Sequence, residues 1–216
     1  KTIGVWNSRE EIDANPHFST DVPGGLRIWD ADGNGELNDN DRVPLGNPYP
    51  SFTYGMTNTF RIGDFDVSFL IQGVQGVTVL NGDVFYNETV RYNKAYIKDR
   101  WVTAEHPGNG KVPYEKLGTD LMLTDYGLQD ASYVCLRNFT VGYTFPKRIA
   151  RKLHLSALRL YATGNNLFYI WSDDYKGINP ESRMTSGGYS SPMISGYQRG
   201  GFPLTSTVTF GIDLTF

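Results

Sequence analysis

The chain has 216 residues, a formal net charge of −3, 20% charged residues and 14% aromatics. This mild acidity leaves no basic footprint for nucleic acid, and no apolar run approaches the roughly 18 residues that a membrane-spanning helix needs. A single cysteine, Cys135, excludes an internal disulfide framework and any cysteine-based metal cluster.

Residues 1–51 show no strand-like alternation. Pro16, Pro23, Gly24 and Gly25 precede an acidic, glycine-punctuated run, and Gly46, Asn47, Pro48 and Pro50 follow it, so the segment reads as a long ordered loop. Within it, Asp30 to Asp41 matches the twelve-residue calcium loop: oxygen-bearing side chains fall at positions 1, 3, 5, 9 and 12, glycine at 6 and an apolar residue at 8. Asp30, Asp32, Asn34, Asn38 and Asp41, with the backbone carbonyl of Glu36, form a hard oxygen set that suits Ca²⁺. Asp41 stands where a longer Glu is usual, and the competing reading is an Asx-rich turn without metal.

Residues 52–216 carry five alternating runs. Phe52, Tyr54, Met56, Phe60 and Ile62 share one face, with Asn58 as the exception; Gly63-Asp64 supplies a tight reversal. The chain returns with Phe65, Val67, Phe69 and Ile71 on one face and Leu70 as the misfit. Between Gly76 and Ala131 the pattern dissolves, apart from a short helix expected over Asn93 to Val102. Ser132 to Phe145 is a third strand whose parity slips, so a bulge at Arg137-Asn138 is needed to keep one apolar side. Lys147, Arg148, Arg151 and Lys152 make a basic turn that reads as solvated. A fourth strand starts at Leu158 and fades near Asn165-Asn166, and Trp171 to Pro203 is a Gly/Ser/Tyr-rich loop.

The last run is the clearest. From Leu204 to Phe216 the even positions are apolar except Ser206, and the odd ones are Thr, Gly or Asp. About a dozen alternating residues is the length with which a tilted strand crosses a bilayer. The connections alternate long and short, as in outer-membrane barrels with short periplasmic turns and long external loops. Gly63-Asp64 and Pro146–Ser156 therefore read as periplasmic, on the side of the C-terminus. Five strands cannot close such a barrel, so the expected fold is all-β: the C-terminal strands of a larger antiparallel transmembrane β-barrel.

Several stretches together, DADGNGELNDNDRVPLGNPYPSFTYG, DFDVSFLIQGVQG, YVCLRNFTVGYTFP, LRLYATGNNLF and TFGIDLTF, resemble the C-terminal region of the SusC/RagA family of TonB-dependent outer-membrane transporters of Bacteroidetes. The resemblance implies a barrel of about 22 strands with an upstream plug, energised through TonB and lidded by a SusD-like surface lipoprotein. It implies import of oligosaccharides or peptides across the bacterial outer membrane. Trp101, Tyr114, Trp171, Tyr175, Tyr189 and Tyr197 are candidates to stack on a sugar ring or meet the lid, against the plainer reading that they pack loops on one another. No catalysis is expected: His17, His106 and His154 are scattered, without HExxH, nucleophile elbow or phosphate loop. The rival fold is a secreted, calcium-stabilised β-sandwich that binds glycans.

Overall fold

The computed structural model describes residues 1–82, 98–114, 124–182, 196–198 and 201–216. In chain order its elements are β1 (Thr2–Val5), α1 (Arg9–Asp13), β2 (Leu26–Ile28), β3 (Phe52–Ile62), β4 (Phe65–Gln75), β5 (Thr78–Asn81), β6 (Leu128–Asp130), β7 (Tyr133–Thr144), α2 (Lys147–Lys152), β8 (Ala157–Trp171), β9 (Tyr197–Gln198) and β10 (Thr207–Thr215). They group into two compact units. One gathers residues 1–47, 79–129 and 183–200; the other gathers residues 48–78, 130–182 and 201–216. This interleaving replaces the contiguous division at residue 51/52: excursions between strands join the N-terminal segment instead of staying with the sheet.

The first unit is not the strandless loop that its sequence suggests. Chain segments β1 and β2 pair antiparallel, and β5 lies between β6 and β9 in a second small sheet. Strands of three or four residues are too short to show a period, which is why alternation missed them. Ser8 caps α1 by accepting from the Glu11 N–H at 3.2 Å. Trp6, Ile12 and Leu26 are fully buried. The indole N–H of Trp6 donates to the buried Asp21 carboxylate at 3.2 Å, so a polar group in this core is satisfied. Arg27 lies 4.8 Å over the Trp6 ring and pairs with Glu11 at 2.9 Å. Of the helix expected over Asn93 to Val102, residues 93–97 lie outside the described residues; Lys98 and Asp99 are helical, whereas Arg100, Trp101 and Val102 are not.

The second unit is a single five-stranded sheet in the order β10-β8-β7-β4-β3, every neighbouring pair antiparallel. All five alternating runs are strands of this sheet. They form one layer, which removes the sandwich, whose strands would divide between two packed sheets. The β3–β4 hairpin turns at Gly63, whose φ of +63° suits glycine. Its register, Ile62 opposite Phe65 through Phe52 opposite Gln75, is unbroken over eleven pairs.

The expected bulge is present. Leu70 faces Asn138 while Ile71 faces Leu136, leaving Arg137 unpaired on β7. The same irregularity runs into β8, where Leu136 faces Phe168 and Asn138 faces Asn165. There Asn166 adopts a φ of +51°, which lets its amide oxygen accept from Arg137 at 2.9 Å. Leu167 instead covers Gly164. Asn166 and Leu167 thus exchange faces, and β8 continues to Trp171 over fifteen residues instead of fading.

Strand parity makes the two faces chemically distinct. Phe210, Ile212 and Leu214 share a face with Leu160 and Ala162 of β8, Val141 and Tyr143 of β7, Val67 and Phe65 of β4, and Phe60 and Ile62 of β3. Phe210 is 81% exposed and Ile212 63% exposed, so nothing among the described residues covers this face. At the end that carries Gly63 and α2, Tyr143 packs against Phe65 at 4.7 Å and Phe145 at 5.0 Å, an aromatic band of the kind that marks a membrane interface.

Candidate functional site

Three places in the structure carry chemistry, and the acidic loop is the most compact. Ligand oxygens of Asp30, Asp32 and Asp41 lie within 4.8 Å of one another. The backbone builds that approach. Asp30 accepts from the Gly33 and Gly35 N–H groups at 2.8 and 2.9 Å, and Asp41 from Ala31 and Asn38 at 2.7 and 2.8 Å. Gly33 and Gly35 both take positive φ, +73° and +88°, and so supply the sharp turn. Donation from the Asn38 backbone, first among several hydrogen bonds, holds the Asp41 carboxyl below the usual carboxylate range.

The other three candidates are placed differently. The Asn34 amide oxygen accepts from the Glu36 N–H at 2.7 Å, and the Asn38 amide oxygen accepts from Asn40 at 2.9 Å. The Glu36 side chain is exposed, and its carbonyl accepts from the Asn38 amide nitrogen at 3.4 Å. Leu37 is half-buried between exposed neighbours, the inward anchor that position 8 of such a loop requires. The three carboxylates supply hard oxygens suited to Ca²⁺ or Mg²⁺.

The polar face of the sheet carries a charge ladder that the sequence reading did not single out. Arg159 on β8 donates to Asp66 on β4 at 2.9 and 2.6 Å and to Asp213 on β10 at 2.9 Å. Strand β7 lies between β8 and β4, and the residue opposite Asp66 there is Gly142. A Cβ at Gly142 would come within 2.6 Å of both Arg159 Nε and Asp66 Oδ1. Glycine leaves the gap through which the guanidinium passes. The available signal was three charges and a glycine at polar-face positions of four separate strands, visible only once the register is known.

At the other end of the polar face, the bulged Arg137 pairs with Glu181, and also donates to Gln72, Asn166 and the Tyr169 hydroxyl. Tyr133, Tyr169, Trp171 and Tyr175 form an aromatic chain beside it, with ring centroids 5.9, 6.5 and 6.2 Å apart. Cys135 is fully buried, the small filler its position suggests.

Five of the six candidate aromatics are described, and each packs within its own unit. Trp101 meets Tyr114 edge-on at 6.3 Å, donates to Asn7 at 2.9 Å and covers Gly24. Tyr197 lies over Gly82 in the same unit. Trp171 and Tyr175 pack on each other in the sheet unit, where Tyr175 is buried. Tyr189 falls outside the described residues. Each described member packs against its own unit.

A single sheet with strands of nine to fifteen residues, bare and apolar on one face and charged on the other, defines a segment of a membrane-spanning β-barrel wall. No family profile matches the chain. Individual relatives do: it is 31% identical over its whole length to a TonB-dependent receptor of Formosa agariphila, and 26% identical over 87% of its length to the TonB-dependent receptor SusC of Bacteroides thetaiotaomicron. It spans 22% and 17% of those proteins. Among solved structures, the RagAB peptide importer in its open-open state covers the whole chain with a TM-score of 0.65 at 16% identity, the chain spanning 22% of the matched chain. Its closed-closed state covers 88% with a TM-score of 0.66 at 19% identity, over 21% of that chain. The chain belongs to the TonB-dependent receptors of the SusC/RagA family and is a portion of their β-barrel.

Proposed function

We propose that the protein of which this chain forms part imports nutrient oligomers, oligosaccharides or peptides, across the bacterial outer membrane, drawing energy through TonB. The observation that carries the reading is the two-faced sheet. Its apolar face is long enough to cross the bilayer, and its polar face, with Asp66, Arg159 and Asp213, is suited to a water-filled lumen. The relatives support it: they are TonB-dependent receptors, and the matched solved structures are of a peptide importer. A SusD-like lipoprotein is the proposed partner at the external loops. Neither the oligosaccharide nor the peptide alternative is favoured by an observation in this chain.

The acidic loop is proposed as an external structural Ca²⁺ site. Asp30, Asp32 and Asp41 would hold the ion, with Asn34, Asn38 and the Glu36 carbonyl completing its shell. The proposal rests on three carboxylates converging within a twelve-residue loop of the calcium-binding spacing.

Deleting the gene, and separately abolishing TonB, tests the import reading. Growth on an oligomeric nutrient should fail in both strains while growth on its monomer continues. Normal growth of the deletion strain on every oligosaccharide and peptide supplied would contradict it.

A further inference from the structure

We infer that α2 and the sheet face beside it form a binding site for an anionic phospholipid. The inference rests on the apolar face being the lipid-facing one. Helix α2 has only six residues and carries Lys147, Arg148, Arg151 and Lys152, all exposed and none in an ion pair among the described residues. Three features of it are unfavourable in water. Lys147 faces Arg151 and Arg148 faces Lys152 at i,i+4 spacing, which sets like charges side by side. Lys147 and Arg148 occupy the first turn, where the helix dipole disfavours cations, and no acidic residue accompanies them. Ile149 and Leu153, also at i,i+4, are 42% and 57% exposed.

The backbone nonetheless holds this helix firmly. The Leu155 N–H donates to the Ala150 carbonyl at 3.0 Å and the His154 N–H to Arg151 at 3.1 Å, with His154 at a φ of +60°. That is a Schellman closure, and Leu155 and Ala150 are both buried beneath it. The helix is therefore fixed with four cations and two apolar side chains presented outward. An anionic surface with an apolar interior relieves all three penalties at once.

A shallow depression against which the chain of such a lipid can lie is a few residues away on the apolar face. Ala162 of β8 sits between Val141 of β7 and Phe210 of β10, and in the next row Leu160 sits opposite Tyr143. The short Ala162 side chain between two larger ones leaves a shallow, open depression bordered by Val141, Tyr143, Leu160, Ala162 and Phe210. From Tyr143 the chain reaches Lys147 in four residues, so headgroup and acyl positions are adjacent. Short turns of bacterial barrels lie on the periplasmic side, where the leaflet is phospholipid.

The test is native mass spectrometry of the full-length transporter, delipidated and then offered equal phosphatidylglycerol and phosphatidylcholine in mixed micelles. Heat-modifiable migration of each protein, checked first, shows that the barrel is folded; its absence in the wild type would overturn the membrane reading itself. The wild type should retain phosphatidylglycerol in preference, and the preference should collapse at high salt. The K147Q/R148Q/R151Q/K152Q variant should lose it by about tenfold or more, and Ala162→Phe should reduce phosphatidylglycerol retention although all four cations remain. A folded wild type that binds both lipids equally, or a folded quadruple variant that keeps the preference, would overturn the inference and leave the barrel standing.

Discussion

Arg159 on β8 reaches over Gly142 on β7 to grip Asp66 on β4 through two hydrogen bonds of 2.9 and 2.6 Å, and holds Asp213 on β10 at 2.9 Å with its remaining arm. Four strands are thereby cross-braced by one side chain on the polar face. Arg suits the position better than Lys, since its planar fork gives Asp66 two hydrogen bonds at once and leaves a further N–H for Asp213.

The brace depends on the gap at Gly142. A methyl group there meets the guanidinium and Asp66, both of which can move aside, so Gly142→Ala should fold but lose the two-bond grip. The pair is partly exposed, at 27% and 32% for the two side chains, so the expected cost is about 1 kcal/mol. A double-mutant cycle with Asp66→Asn, read by chemical unfolding in micelles, should show that the two losses do not add. Strict additivity would mean that Gly142 and Asp66 act independently.

The opposite face should reject charge. Ile212 lies in a row with Leu160 and Tyr143 on the apolar side of the sheet. Ile212→Arg should cost up to about 2–4 kcal/mol, the value for mid-membrane depth, whereas Thr209→Arg on the polar face should be tolerated. Comparing the fraction of each variant that migrates as a heat-modifiable species checks this.

These two faces were legible from alternation alone, because period-two patterning is a property of neighbours in sequence. So was the bulge: Leu136 and Phe139 are both apolar and differ in parity, so they can share a face only if one residue is extruded. The cross-brace was not legible. Asp66, Gly142, Arg159 and Asp213 become neighbours only through the strand order and register, which no local pattern encodes. The small strands β1, β2, β5, β6 and β9 were invisible for a different reason, since two to four residues cannot establish a period. In the acidic loop the approach of Asp30, Asp32 and Asp41 was legible, because its glycines and Asx side chains fold it locally.

Loop order should follow both calcium and pH. With Asp41 held low by its backbone donors, its contribution is present at pH values above the ordinary carboxylate range and is lost as acid drives the pH down through its lowered pKa. Limited proteolysis within residues 30–41 should therefore be slow at neutral pH with millimolar calcium. It should accelerate on chelation, on acidification below about pH 4, and in Asp32→Ala, whose barrel should still assemble. Cleavage rates indifferent to calcium would count against an ion at this loop.

Glu181 and Arg137 fasten the segment after β8 to the bulge. Glu181→Gln should loosen it by about 1–2 kcal/mol, seen as faster hydrogen exchange over residues 172–182 with the rest of the sheet unchanged. Unaltered exchange there would show that the remaining contacts, among them Tyr175 packing and the Asp130 N–H donating to Asp174 at 2.9 Å, hold the segment without the ion pair.

The central claim, that one face of this sheet meets lipid and the other an aqueous lumen, is tested most directly by spin labels placed one at a time at residues 208 to 215 of the full-length transporter in lipid nanodiscs. Oxygen, which concentrates in the bilayer, and a water-soluble nickel chelate should give opposite accessibility patterns of period two. Val208, Phe210, Ile212 and Leu214 should be open to oxygen, and Thr209, Gly211, Asp213 and Thr215 open to nickel. Accessibility without alternation, or with the two sets exchanged, would contradict it.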